Sequence, residues 1–165
     1  MSVKTLKDLF VDGIKDMYNA ENQLTKALPQ MAKKANSENL RKAFEDHLKE
    51  TENHVSRLEK VFQELDMSAK GKKCDAMEGL ISEAKEIMNE TKDTSVLDAA
   101  LIGAAQKVEH YEIGSYGTLR TFANILGYSK AVDLIQENLD EEGAADKKLT
   151  EIAESEVNAE AEETA

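Results

Sequence analysis

The sequence predicts an all-α fold: a bundle of four long helices with a shorter fifth. Three observations carry this. Ala, Leu, Glu and Lys abound, with one proline and no tryptophan. Clusters of β-branched residues are few. Apolar residues recur at steps of three and four, the period of a helix with one buried face. At 165 residues the chain suits one domain and can bury a core without disulfides.

The elements follow in order. A first helix runs from about Lys4 to Ala35, and Pro29 inside it predicts a kink or break near Leu28. Asn36-Ser37 supplies an N-cap for a second helix that runs to about Asp66. Met67 to Lys73 reads as loop, and a short helix covers about Asp75 to Asn89. The next long helix starts near Asp93-Thr94-Ser95, with Ser95 and Asp98 spaced as a capping box, and stops at Gly127. The last long helix starts at Ser129 and runs to about Ser155. Residues 1–155 are the expected domain. Residues 156–165 are expected to be a disordered acidic tail, since the last fifteen residues hold six Glu and no Lys or Arg.

Connection lengths predict the topology. Short links join the first two long helices and the last two, which makes each pair an antiparallel hairpin. The long stretch between the hairpins can carry the chain back along the bundle. Two hairpins joined by one crossover are the ferritin-like four-helix arrangement.

Charge and cysteine content narrow the function. Asp and Glu number 33 against 21 Lys and Arg, a net charge of −12. Nucleic-acid and anionic-membrane binders need the opposite balance, so neither partner is expected. Cys74 is the single cysteine, which rules out an intrachain disulfide or a thiolate metal cage. No apolar run approaches the roughly 18 residues of a transmembrane helix, and MSVKTLKDLF lacks a signal-peptide core. A cytoplasmic location is the expectation.

Tracing each apolar stripe reveals what interrupts it. In the first helix it reads Phe10, Ile14, Met17, Glu21, Leu24, Leu28, so Glu21 points inward. In the second it reads Leu40, Phe44, His47, Thr51, His54, Leu58, Val61, Leu65, with Glu50 at its edge. In the third long helix it reads Leu97, Leu101, Ala104, Val108, Glu112, Ser115, Leu119, Phe122, with Glu109 one turn before Glu112. In the last it reads Ile135, Leu139, Glu142, Asp146, Leu149. No inward Lys or Arg stands at these heights.

Six acids in one core repel each other and lack water, so they would neutralise or unfold the domain unless cations join them. Their levels agree. Glu21 and Glu50 lie about 16 and 13 residues from the first hairpin turn, and Glu112 and Glu142 about 16 and 14 from the second, within a few Å at about 1.5 Å per residue. Singly, each has an ordinary reading: Glu21 as a boundary residue paired with a lysine, His54 as a hydrogen-bonded core histidine, Glu109 as a surface residue beside His110. Together they predict a metal site made of Glu21, Glu50, His54, Glu109, Glu112, Glu142 and Asp146. His47, Tyr18 and Tyr111 are candidates to support the ligands rather than touch an ion, and His110 falls off the stripe.

Five segments carry a family resemblance: DMYNAENQLTKALPQMA, HLKETENHVSRLEKVF, CDAMEGLI, DAALIGAAQKVEHYEIGSYGTL and LDEEGAADKKL. Together they resemble the YciE/YciF family of bacterial ferritin-like stress proteins over all but the acidic tail. The resemblance implies a homodimer, a stress-response role and a carboxylate-bridged centre of two divalent metal ions, iron first. The usual ferritin-like pattern has a lone Glu on two helices and Glu-x-x-His on two. Here Glu50 and His54 are four apart, helix three offers Glu109 and Glu112, and Asp146 stands where a His is common. An oxygen-rich set favours harder ions, which keeps manganese beside iron.

Two functions follow. One is a di-metal oxidoreductase that oxidises Fe(II) with oxygen or peroxide, with Glu21 and His54 terminal, Glu50 and Glu112 bridging, and Glu109, Glu142 and Asp146 completing the second ion. The other is a non-enzymatic dimeric stress protein that sequesters metal or plays a structural role. A DNA-protecting ferritin is disfavoured by the charge and by the lack of a basic arm.

Overall fold

The computed structural model describes residues 3–92 and 94–163, and the described residues hold helices and no strand. Helix α1 spans Leu6–Lys34, α2 Glu38–Glu64, α3 Asp75–Glu90, α4 Thr94–Leu126 and α5 Ser129–Ile152. A π-helical turn, Ala153–Val157, leads into α6, Asn158–Glu163.

The caps follow from side-chain chemistry. Thr5 and Asp8 close a capping box at the start of α1, each side chain accepting from the other's backbone N–H. Ser37 caps α2, accepting from the Leu40 N–H at 3.2 Å. Gly127 ends α4 at φ 78°, a left-handed conformation that a Cβ disfavours. Of the expected kink or break, the break does not occur: helix α1 continues through Pro29. The buried neighbours Leu28, Met31 and Ala32 anchor both sides of it, which compensates for one missing intrahelical bond.

Helix α4 begins at Thr94, which puts Ser95 inside the helix rather than at its cap; Asp93 lies outside the described residues. Asp98, expected in a capping box there, is buried and serves another turn. Its two oxygens accept from the N–H groups of Asn36 and Ser37 at 2.8 and 2.7 Å. It thus ties the start of α4 to the α1–α2 connection.

Helices α1 and α2 form one antiparallel hairpin, and α4 and α5 the other. Helix α1 packs on α4 and α2 on α5. Phe10 stacks on Tyr128, and Arg57 of α2 bonds Asn138 of α5, so both contacts between hairpins are also antiparallel. Helices α2 and α4 therefore run parallel across a diagonal, and the 65–93 crossover supplies the return along the bundle. Helix α3 in that crossover lies over α1 and α4, burying Met77 and Ala84. Gly71 in the preceding loop comes so close to Asn19 that a Cβ would sit 3.0 Å from the asparagine's own Cβ.

The C-terminal segment differs from the expected free tail. Helical backbone continues from Ala153 to Glu163, and Val157 is buried in the core. Glu156 accepts from Ser37 Oγ at 2.6 Å and Asn39 Nδ2 at 2.7 Å. Charge counting misses this because one acid and one valine of the segment have specific partners.

The apolar core splits into two blocks. One holds Leu24, Phe44, Val108 and Leu149; the other holds Met17, Leu58, Tyr116 and Ile135. On each long helix the inward acids or histidines lie between these two levels. The polar cluster is thus a layer sandwiched between apolar layers.

Candidate metal centre

Glu21 comes from α1, His47 and His54 from α2, Glu109 and Glu112 from α4, and Glu142 from α5. Glu21, His54, Glu112 and Glu142 are 0% exposed, Glu109 2% and His47 6%. Two groups form among them. His47, Glu109, Glu112 and Glu142 can each aim one ligand atom so that all lie within 4.8 Å of one another; so can Glu21, His54 and Glu142. Glu142 belongs to both groups and stands where they meet.

The hydrogen-bond pattern fits a cation. Both oxygens of Glu112 and of Glu142, one each of Glu21 and Glu109, His47 Nε2 and His54 Nδ1 have no hydrogen-bond partner. Buried polar atoms are normally satisfied, and each orphan costs about 1–3 kcal/mol. His54 Nδ1 is 3.0 Å from Glu142 and 3.3 Å from Glu21, and His47 Nε2 is 3.3 Å from Glu109 and 3.5 Å from Glu142. These atoms crowd a shared centre at ion-pair distances.

Both histidines are held from outside. Glu50 meets His47 Nδ1 at 3.1 Å, and Glu141 meets His54 Nε2 at 2.8 Å. An N–H donated to the outer carboxylate leaves the other nitrogen's lone pair facing the cluster, the arrangement of metal-bound histidines. Arg57 fixes Glu141 with two bonds, 2.7 and 2.8 Å, and also bonds Asn138 Oδ1 at 3.0 Å. Tyr116 donates to Glu21 and sets its ring edge-on to His54.

Burial and mutual repulsion push Glu109 and Glu112 well above the ordinary carboxylate range, and Glu142 upward as well. Burial alone would lower the His54 imidazole, but Glu142 and Glu21 outweigh it and raise it to about 11. His47 also rises: burial opposes the shift and Glu109 drives it. These directions all favour protonated groups in the metal-free cluster.

Of the residues predicted as ligands, Glu21, His54, Glu109, Glu112 and Glu142 converge. Two stand outside. Glu50 is 43% exposed and bonds the far side of His47, whereas His47, expected only to support the ligands, presents Nε2 to the cluster. Asp146 faces Gln106 at 3.1 Å and His110 at 3.3 Å, at the surface of the α4–α5 pair. Glu142 alone belongs to both groups, the shared place expected of Glu50 and Glu112. Tyr18 bonds Glu59 and packs on Phe62, while Tyr111 bonds Asp16 and meets Cys74, so the hydroxyls of both point to partners outside the cluster. The stripe pattern does not single out Tyr116, Glu141, Arg57 or Asn138, which the structure places beside the cluster. Tyr116 was legible in part, since it follows Glu112 by one turn; the stripe of α4 passes through it and not through half-exposed Ser115.

Fold and site together define a ferritin-like helical bundle with a buried histidine–carboxylate cluster. The chain belongs to the DUF892 family, a domain of unknown function, whose profile matches residues 5–162. It is 50% identical to Protein YciF of Escherichia coli K12 over 166 aligned residues, covering 100% of both chains. The crystal structure of the E. coli stress protein YciF superposes with a TM-score of 0.90, covering 94% of this chain and 99% of that one. YcfI of Rhodopseudomonas palustris, described as structural, is 44% identical with a TM-score of 0.89, over 90% of this chain and 95% of its own. A Xanthomonas campestris protein shares the fold at 20% identity and a TM-score of 0.75, over 97% of this chain and 99% of its own. No helix among the described residues is long and apolar enough to cross a membrane.

Proposed function

We propose that this homologue of a bacterial stress protein holds two divalent metal ions, iron first and manganese second, and oxidises Fe(II) with oxygen or peroxide. One observation carries the reading: unpartnered, buried carboxylate and imidazole atoms from four helices meet in two groups that share Glu142. Four carboxylates and two imidazoles suit hard or borderline divalent ions.

Ions bound there would supply one-electron redox chemistry that no side chain of the cluster offers. In the net reaction two Fe(II) each give one electron to hydrogen peroxide, which takes up two protons and leaves as two waters. The residues do the rest. Glu142 spans the two groups, and Glu109 and Glu112 flank His47. Glu21 and His54 close the other side. Glu50 and Glu141 orient the two imidazoles, Tyr116 positions Glu21, and the apolar layers exclude bulk water.

The test is metal content followed by turnover. Purified protein loaded anaerobically with Fe(II) should retain it through desalting, and peroxide should then produce ferric absorbance. A Glu112→Gln, Glu142→Gln double variant that oxidises Fe(II) at the wild-type rate refutes the reading.

A non-enzymatic role is the second reading, and one observation favours it. His54 Nδ1 lies 3.0 Å from Glu142 and 3.3 Å from Glu21, close enough for a protonated imidazole to neutralise part of the carboxylate charge without an ion. Protein that retains metal with no turnover supports sequestration; protein that retains none supports a structural role. A homodimer is the proposed assembly in either case, checked by light scattering.

A further inference from the structure

The two groups of the cluster differ in their access to solvent. A cavity of about 420 Å³ opens between α2 and α5. Its walls include Ala43, Phe44, Ala145 and Leu149, and its floor is His47 and Glu109. His47 Nε2 and Glu109 Oε2 are buried there without hydrogen-bond partners. Lys42 and Lys148 also line the cavity, and Asp46 is paired with Lys42 and Lys49 at 2.7 and 2.9 Å; Glu50, 43% exposed, reaches from the rim to His47 Nδ1.

Among the described residues, the other group is closed off from solvent. Glu21, His54 and Glu142 are each 0% exposed and none lines this cavity. Tyr116 closes over Glu21, and the Arg57–Glu141 pair covers the outer nitrogen of His54. Leaving that group requires local opening of packed helices, a slow event compared with passage through a standing cavity.

We infer that the cleft between α2 and α5 is the entry for a hydrated divalent cation, and that the two cation positions exchange at different rates. The His47–Glu109 position trades with solvent through the cleft, while the Glu21–His54 position is occlusive. Glu50 stands at the rim in direct contact with the imidazole that receives the cation. The inference rests on the proposed metal centre.

The experiment loads the full-length protein with Co(II), adds excess EDTA and follows the cobalt absorbance by stopped flow. Wild type should release metal in two phases. Ala43→Leu and Ala145→Leu fill the cleft from opposite walls, and each should slow the fast phase by about tenfold or more, because exit then needs a packed wall to open. The slow phase should move less than about twofold. Thr118→Leu fills a separate cavity between α1 and α4 that touches no cluster residue, and should change neither phase. Equal melting curves in circular dichroism show that the variants fold, and one folded plug variant is enough. Release in a single phase, or a fast phase unchanged by a folded plug variant, overturns the inference while leaving the metal centre intact. Failure of the wild type to take up Co(II) refutes the metal centre itself, and this inference with it.

Discussion

Replacing Glu112 by leucine should have opposite effects on the metal-free and metal-loaded protein. Glu112 is fully buried, and neither of its oxygens has a hydrogen-bond partner. Without an ion, this carboxyl is kept protonated or pays for charge in a dry site, and replacing such a group with an apolar one of similar size is neutral or stabilises by about 1–4 kcal/mol. Taking about 2 kcal/mol, and about 2–4 °C per kcal/mol for a chain of this length, Glu112→Leu should raise the metal-free Tm by about 4–8 °C. With an ion the sign reverses. A cation at about 100 times its Kd stabilises the wild type by about 2.7 kcal/mol, and the variant forfeits most of that gain by losing a ligand. The assay is a thermal melt by circular dichroism in EDTA and in Mn(II). If Glu112→Leu lowers Tm by the same amount in both buffers, Glu112 is an ordinary structural residue and the reasoning fails.

Further outcomes follow from the same geometry. Glu109, Glu112, Glu142, His47 and His54 all have raised folded-state pKa values, so the folded metal-free protein binds more protons than the unfolded chain. Their stabilisation is complete below the ordinary Glu range and is lost as pH rises through the folded values; EDTA-treated protein should melt higher at pH ~5.5 than at pH ~8, with metal flattening the difference. Asp98→Ala removes two charge-assisted bonds to the α1–α2 turn and should cost about 2–3 kcal/mol in urea unfolding, whereas exposed Asp46→Ala should cost less than about 1 kcal/mol. Asp146→Ala should leave the number of bound metal ions unchanged by plasma emission analysis, because its carboxylate faces Gln106 and His110 and not the cluster.

Much of this architecture is legible in the sequence. Composition and period identified the helices, and connection lengths identified the two hairpins and the crossover between them. Glu21, His54, Glu112 and Glu142 sit at the centres of their stripes, where a helical period of 3.6 leaves no doubt about direction. Positions at a stripe's edge are different. Each residue turns the helix by about 100°, so His47 and Glu50 flank the same face, and only the neighbouring helix decides which enters the core. Helix α5 approaches α2 on the side of His47, so Glu50 is left at the rim. Along α5 the stripe itself drifts: Asp146 follows Glu142 by one turn but rotates toward α4, where Gln106 meets it.

The sequence alone determined the bundle and the common level of its inward acids, because both depend on local period read along one chain. The tertiary structure decided the membership of the cluster. It showed Glu142 shared by two groups, outer carboxylates holding both histidines, Tyr116 and Arg57 as supports, and one group opening on a cleft while the other is sealed. These features depend on how four helices rotate and settle against one another, and pairwise packing geometry is not written in the period of any single helix.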